Sequence, residues 1–251
     1  MDLGLADRVY ILTGASRGLG FATAEALVAD GARVVISARD ADRLSSAVSA
    51  LGASATGVVA DLGDPTVPQQ LIDTAKSHFG RLDGALISVG GPALGTVASL
   101  SDDQWRNAFE TIFLGSIRLA RTVAAALSEG GAIALVLSTS VKSPLTGLGL
   151  SNGLRPGLAM AAKDMANEFA PRGIRVLSLM PGRVMTDRNR ELFAATGDPA
   201  TARKKVEDTV PMGRMGQPHE FGKVAAFALS PAAGYLTGLT IPVDGGLLAA
   251  L

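Results

Sequence analysis

Residues 13–20 read Thr-Gly-Ala-Ser-Arg-Gly-Leu-Gly, a run suited to binding phosphate. Gly14, Gly18 and Gly20 let a tight turn close and let an anion reach the backbone without meeting a Cβ. Ser16, Arg17 and Leu19 fill the loop between them. A helical pattern follows at 21–30, which puts the loop's free N–H groups at a helix N-terminus, where the dipole also favours negative charge. A second charged pair, Arg39-Asp40, closes the apolar run at 33–37. An acid at that place accepts from the ribose hydroxyl of an adenine dinucleotide and repels a 2′-phosphate, whereas an arginine does the reverse. Arg39 therefore favours NADP(H) over NAD(H); the alternative is a solvated surface charge beside Asp40. Lys142 follows another apolar run, and a lysine depressed by burial can serve as acid or base. Arg183 and Asp187 are the next candidates, each with a solvated loop charge as its alternative.

The elements that must hold these residues alternate. Apolar runs at 9–12, 33–37, 57–60, 85–89, 133–138, 174–180 and 239–243 read as buried strands. Between them lie helical patterns at 21–30, 41–51, 65–79, 102–128, 154–170 and 218–229. Pro65 is expected to open the third helix with Asp64 as its cap. Trp105, Phe109, Ile112 and Phe113 share spacings that suit an apolar face. Pro181-Gly182 break the sixth strand, and a polar segment at 183–208 is expected to cover a crevice. Short apolar strands alternating with helices predict an α/β fold with a parallel sheet covered on both faces. No linker or repeat interrupts the pattern, so residues 1–251 read as a single domain.

Composition narrows the function classes. The 251 residues carry 23 basic and 23 acidic side chains, with no basic face, so nucleic acid and anionic membrane are poor partners. There are no cysteines, which excludes disulfides, thiolate catalysis and cysteine metal sites. The two histidines, His78 and His219, make a histidine metal site or triad a poor reading, and no metal is expected. No signal character marks residues 1–7 and no apolar run approaches the roughly eighteen residues of a membrane span, so a soluble, cytoplasmic protein is expected.

Taken together, these motifs resemble the short-chain dehydrogenase/reductase family nearly end to end. The spacing Gly14-x-x-x-Gly18-x-Gly20 is that family's. Residues 79–83, Phe-Gly-Arg-Leu-Asp, resemble the segment before its fourth strand, and 170–176 with Pro181-Gly182 resemble the surroundings of its sixth. Residues 211–214 and 235–246 resemble its C-terminal segment. The resemblance implies a Rossmann-like, doubly wound sheet of seven parallel strands in the order 3-2-1-4-5-6-7. It also implies a cofactor bay in which Arg17 supports Arg39 at the 2′-phosphate, Asp61 and Leu62 meet the adenine, and Gly90, Pro181 and Gly182 border the crevice. Thr186 resembles the threonine that holds the nicotinamide amide; the alternative is a helix N-cap, with Asp187 competing.

The family's catalytic set is altered. Its tyrosine and lysine positions fall on Ser151 and Arg155, its serine on Ser138 and its asparagine on Ile112. Tyrosine titrates near ~10 and a neighbouring cation pulls it toward neutrality, whereas a serine hydroxyl is far less acidic and lacks the ring's reach. Arg155 keeps a charge that suits a nicotinamide ribose but does not give up a proton. Similar Ser-Asn-x-x-Arg segments and Ser-Val-Lys-x-Pro loops mark a divergent subgroup that this chain resembles. The leading expectation is an NADP(H)-dependent oxidoreductase on a small carbonyl or alcohol substrate, with Ser138 orienting its oxygen. A cofactor-binding protein without turnover, or an isomerase or lyase reusing the crevice, are the alternatives. The helices at 102–128 and 154–170 form a subunit interface in the family. The latter carries Ala159, Ala161, Ala162 and Ala166, so a homotetramer is expected, with packing on the sheet as the alternative use of those alanines.

Overall fold

In the computed structural model, which describes residues 2–127 and 130–249, seven parallel strands form one sheet ordered β3-β2-β1-β4-β5-β6-β7. They are β1 Val9–Thr13, β2 Arg33–Ala38, β3 Ala55–Val59, β4 Gly84–Ile87, β5 Ala132–Val136, β6 Arg175–Pro181 and β7 Thr240–Val243. Successive side chains of a strand point to opposite faces, and β1 shows the result. Val9 and Ile11 enter one core with Val35, Leu71, Leu119 and Ile133. Tyr10 and Leu12 enter the other with Val34, Leu27, Leu177 and Phe221. Both faces are buried, so the strands read as continuous apolar runs rather than alternating ones.

The helices are α1 Gly18–Ala29, α2 Ala41–Leu51, α3 Val67–Phe79, α4 Asp102–Ala108, α5 Gly115–Ala126, α6 Gly149–Phe169, α7 Asp187–Ala194, α8 Pro199–Glu207 and α9 Pro218–Leu229. Helices α1, α2 and α9 cover one face, and α3, α5 and α6 the other. Close approach is set by glycine at two points. A Cβ on Gly84 would lie 2.0 Å from the Ala132 carbonyl oxygen of β5. One on Gly222 of α9 would lie 2.3 Å from the Ala22 carbonyl oxygen of α1.

Several boundaries differ from the sequence-based expectation. Helix α3 begins at Val67, not Pro65, because Asp64 turns its carboxylate onto the N–H and hydroxyl of Thr66, both within 2.8 Å, instead of capping a helix. Helix α6 begins five residues before Leu154, placing Pro156 in its interior. Leu150 and Leu154 justify that extra turn by burying against Leu100, Ala108 and Ile112. The helix expected over 102–128 is divided by a π-helical turn, Phe109–Leu114, and its expected end at Ser128 lies outside the described residues. On the expected apolar face only Ile112 is fully buried, while Phe109 is exposed and stacks on Phe113. Strand β5 stops at Val136, where the sequence pattern runs to Ser138. Residues 183–208 hold two helices, α7 and α8, rather than a loop alone. Among the described residues, no helix is long and apolar enough to cross a membrane.

Candidate functional site

All seven strands point their carboxyl ends toward one side, and a cleft of about 1110 Å³ opens there. Crevices outside these strand ends, beside the point where the strand order reverses, are where open α/β sheets bind ligands. The glycine loop forms its middle. Gly14 has a φ of +58°, and a Cβ there would meet the Ser88 carbonyl oxygen at 2.7 Å. Thr13 Oγ1 donates to that same carbonyl and accepts from the Ser88 N–H, each at 2.9 Å, which stitches β1 to β4. A Cβ on Gly20 would lie 2.7 Å from the Gly14 carbonyl oxygen, so α1 starts tight against the loop. Arg17 at the head of α1 makes no side-chain cap, and the first turn holds no acid. Ser16, Arg17, Gly18 and Leu19 all line the cleft, and the uncapped turn offers its N–H groups to an anion.

The charged end lies beyond β1, at β2 and β3. Arg39 and Arg17 both line the cleft, as expected, yet neither is free of a carboxylate. Arg39 stands 3.9 Å from Asp61, and Arg17 bonds Glu191 of α7 at 2.7 Å. Both pairs are solvent-exposed and weak, so a dianionic phosphate can displace them. Asp40 is diverted: it caps α2 by accepting from the Arg43 N–H at 3.0 Å and pairs with the Arg43 guanidinium. Asp61 also accepts from the Gly63 N–H at 2.9 Å, which shapes the turn that carries Leu62 to the cleft wall.

The far end lies at β4, β5 and β6. Gly90 faces open space there. Pro181 and Gly182 line the wall, and Gly182 is required because a Cβ would strike Asp244 at 2.6 Å. Thr186 lines the cleft opposite Gly18 and caps α7, accepting from the Asn189 N–H at 3.4 Å, which is the helix-cap alternative. Asp187 is the first residue of α7 and bonds Arg190 at 2.7 Å.

The residues expected at the family's catalytic positions separate. Arg155, on α6, is buried and lines the cleft; its Nη1 donates to the Val136 carbonyl at the end of β5 at 2.8 Å. Burial, with a smaller contribution from the charge on Arg188, pushes its pKa down to about 10, which leaves the guanidinium charged at neutral pH. Ser151, one turn earlier, is buried off the cleft, and its hydroxyl meets that of Ser140 at 2.9 Å. Ser138 accepts from the Ser140 N–H at 3.1 Å; its neighbours Val136 and Leu137 line the cleft and it does not. Lys142 is exposed at the end of a 3-10 turn, Thr139–Val141, and is not part of the cleft wall, because that turn carries it outward. Arg183 is also off the cleft, with its Nε buried and unbonded. Ile112 lines the cleft from the π-helical turn. Among the described residues no tyrosine, lysine, histidine or cysteine lines the cleft.

Sequence reasoning missed Arg188. It stands in the first turn of α7, with Nη2 donating to the Pro92 carbonyl at 3.2 Å. Its guanidinium lies over Gly91, where a Cβ would be 1.8 Å from Nη1. A cation in a first helical turn opposes the helix dipole, and that mismatch beside Gly90-Gly91 is the signal that singles it out.

Comparison with known proteins agrees with this geometry. Residues 14–248 match the sequence model of the family described as Enoyl-(Acyl carrier protein) reductase. The 3-oxoacyl-(acyl-carrier-protein) reductase FabG of Salmonella typhimurium is 31% identical over 242 residues, covering 96% of this chain and 97% of that one. L-sorbose reductase from Gluconobacter frateurii, solved with NADPH and L-sorbose, superposes over the whole of both chains with a TM-score of 0.94 at 30% identity. A short chain oxidoreductase from Pseudomonas aeruginosa PAO1, described as containing an atypical catalytic center, superposes equally fully, with a TM-score of 0.92 at 30% identity.

Proposed function

The chain belongs to the short-chain dehydrogenase/reductase family of oxidoreductases, and from that premise we propose that it is an NADP(H)-dependent oxidoreductase of a carbonyl or alcohol, working through a non-standard active site. One observation carries the reading: a single cleft joins the uncapped N-terminus of α1 to the buried Arg155. The glycine loop fits a pyrophosphate, because Gly14 and Gly20 leave no room for side chains and Gly18 turns at a φ of +62°. Arg39 and Arg17 favour a 2′-phosphate, and Asp40 does not oppose it because it is spent on α2. That a relative was solved with NADPH supports the same choice.

A nicotinamide bound at the β4–β5 end would supply a hydride to the carbonyl carbon or take one from the alcohol. The chain's own part is electrostatic. Arg155 would present guanidinium N–H groups, from a buried position on the cleft wall, to the nicotinamide ribose and to an oxygen on which negative charge develops. Ser138, Ser140 and Ser151 form a polar cluster that ties the end of β5 to α6. With no tyrosine, lysine, histidine or cysteine on the wall among the described residues, the proton would come from water entering the open mouth. The protein is further proposed to be cytoplasmic and a homotetramer.

The test of the cofactor is nicotinamide fluorescence. NADPH should bind the purified protein at least about tenfold more tightly than NADH, and Arg39→Ala should remove that preference by weakening NADPH alone. Equal affinity for both cofactors, or for neither, would sink the assignment. A second reading, a cofactor-binding protein without turnover, is favoured by Ser151 being spent on Ser140 and by Ile112 on the wall. Bound NADPH that no carbonyl in a broad panel oxidises would establish that reading.

A further inference from the structure

The cleft holds two guanidinium groups that no carboxylate among the described residues neutralises. Among the described residues, no ion pair includes Arg155 or Arg188. The acids that α7 brings to the neighbourhood are committed elsewhere: Asp187 to Arg190, and Glu191 to Arg17. The remaining cleft acids, Asp40 and Asp61, lie at the β2–β3 end with Arg43 and Arg39. Arg155 and Arg188 each rest on one backbone carbonyl, Val136 at 2.8 Å and Pro92 at 3.2 Å. A carbonyl oxygen offers a partial charge only, and each guanidinium has further N–H donors to place. Both line the one cleft, and the segments they reach, the end of β5 and the loop after β4, follow neighbouring strands of the sheet. Arg155 is buried and Arg188 half-buried, and two like charges on one cleft wall are costly unless an anion joins them.

The cofactor's pyrophosphate does not fill that place. Its cradle is the loop between β1 and α1, whereas Arg155 hangs on the end of β5 and Arg188 on the loop after β4. The sheet order separates the 2′-phosphate end, at β2 and β3, from this pair still further. Gly91 is part of the same construction, since any side chain there would displace the Arg188 guanidinium. The surrounding wall from α6 and the π-helical turn, Leu150 and Ile112, is apolar, which strengthens a charge pairing formed there.

We propose that the substrate is a carbonyl or hydroxyl compound bearing a carboxylate, an oxo acid or its hydroxy acid, and that Arg155 and Arg188 hold that carboxylate between them. This rests on the oxidoreductase reading above. Planar guanidinium and planar carboxylate match in a bidentate fashion, so the pair both neutralises the acid and orients the adjoining carbonyl.

The experiment is isothermal titration calorimetry on the protein with and without saturating NADP⁺. The probes are 2-oxobutyrate and acetoacetate, their methyl esters, and dihydroxyacetone phosphate; NADPH binding is followed separately by fluorescence. An acid should bind and its ester should bind at least about tenfold more weakly. Arg188→Gln, on a partly exposed helix and expected to fold, should weaken the acid about tenfold while NADPH affinity stays within about twofold. Arg188→Lys should recover part of the loss. Esters binding as tightly as acids would overturn the proposal, as would an Arg188→Gln effect confined to NADPH. Binding of dihydroxyacetone phosphate with no binding of either acid would overturn it too, in favour of a phosphate. A wild-type protein that binds an acid but not NADPH would instead sink the oxidoreductase reading, and with it the role of that acid as substrate, while the carboxylate site itself would remain.

Discussion

A buried arginine without a carboxylate is a cost that the fold carries for its ligand. The family resemblance leads one to expect a lysine at position 155, and an arginine there keeps charge while removing the possibility of proton release. Its only hydrogen-bond partner among the described residues is the Val136 carbonyl. Replacing a buried ion by an apolar side chain of similar volume is often neutral or stabilising, by roughly 1–4 kcal/mol, and orphaning one carbonyl costs roughly 1–3 kcal/mol. The charge is the larger burden here, because repulsion from Arg188 adds to burial. Arg155→Met is therefore expected to raise the urea midpoint of the ligand-free protein, by ~1 kcal/mol in stability, while weakening NADPH at least about tenfold. A variant less stable than the parent would mean that the guanidinium is structurally satisfied and needs no ligand.

Elements decide whether that residue reaches the cleft at all. Helix α9 packs on α1 through Gly222, so the position of the glycine loop depends on how α9 is fixed. Its N-terminus is fixed by a capping box, Gln217 with Glu220, and by Arg214, whose two terminal nitrogens reach both Glu220 oxygens. The Arg214 hydrogen bonds, helped by the Gln217 N–H, lower Glu220 to about 2 from an ordinary value of 4.5. A depressed carboxylate contributes stability that is complete above the unfolded pKa and is lost as pH falls through the folded one. The loss should therefore run from about pH 4.5 to about pH 2, with an amplitude reduced by solvent screening, since both partners are over a third exposed. Thermal melts of Glu220→Gln should lie below the parent at neutral pH and converge with it across that window; parallel curves would refute the linkage. Helix α9 was legible in the sequence, where Pro218 and the apolar run to Leu229 mark its bounds, although its capping box was not read there. The start of α6 was hidden, because Pro156 imitates a first turn and only the tertiary cluster around Ile112 stabilises the turn before it. The glycine loop was legible because strand, turn and helix are contiguous. Arg188 was not, because its partner atom, the Pro92 carbonyl oxygen, lies 96 residues away in the chain, with Gly91 one residue further, and both meet it only through the sheet.

At the scale of the whole molecule, exposed apolar side chains remain after the sheet has been covered, on α6 with the π-helical turn and beside β7 among other places. On α6, Gly153, Gly157, Met160 and Asp164 follow helical spacing along one exposed face. Met160 is 71% exposed, and the stacked Phe109 and Phe113 belong to the neighbouring π-helical turn. The alanines divide between two uses: Ala162 and Ala166 are buried toward the sheet, while Ala159 and Ala161 are only partly covered. The second patch lies beside β7, the end strand, where Tyr235 is fully exposed and Leu239 45% exposed. One patch on a helical face and another at a sheet edge suit two different isologous contacts, and two such contacts at right angles build a tetramer of twofold axes. Size-exclusion chromatography with light scattering should give the parent a mass four times the 25.5 kDa chain. Met160→Glu, which puts a charge on the α6 contact, should halve that mass while NADPH binding persists, because Met160 does not line the cleft. A monomeric parent would refute the tetramer outright, and a variant that stays tetrameric would remove the α6 face from the interface.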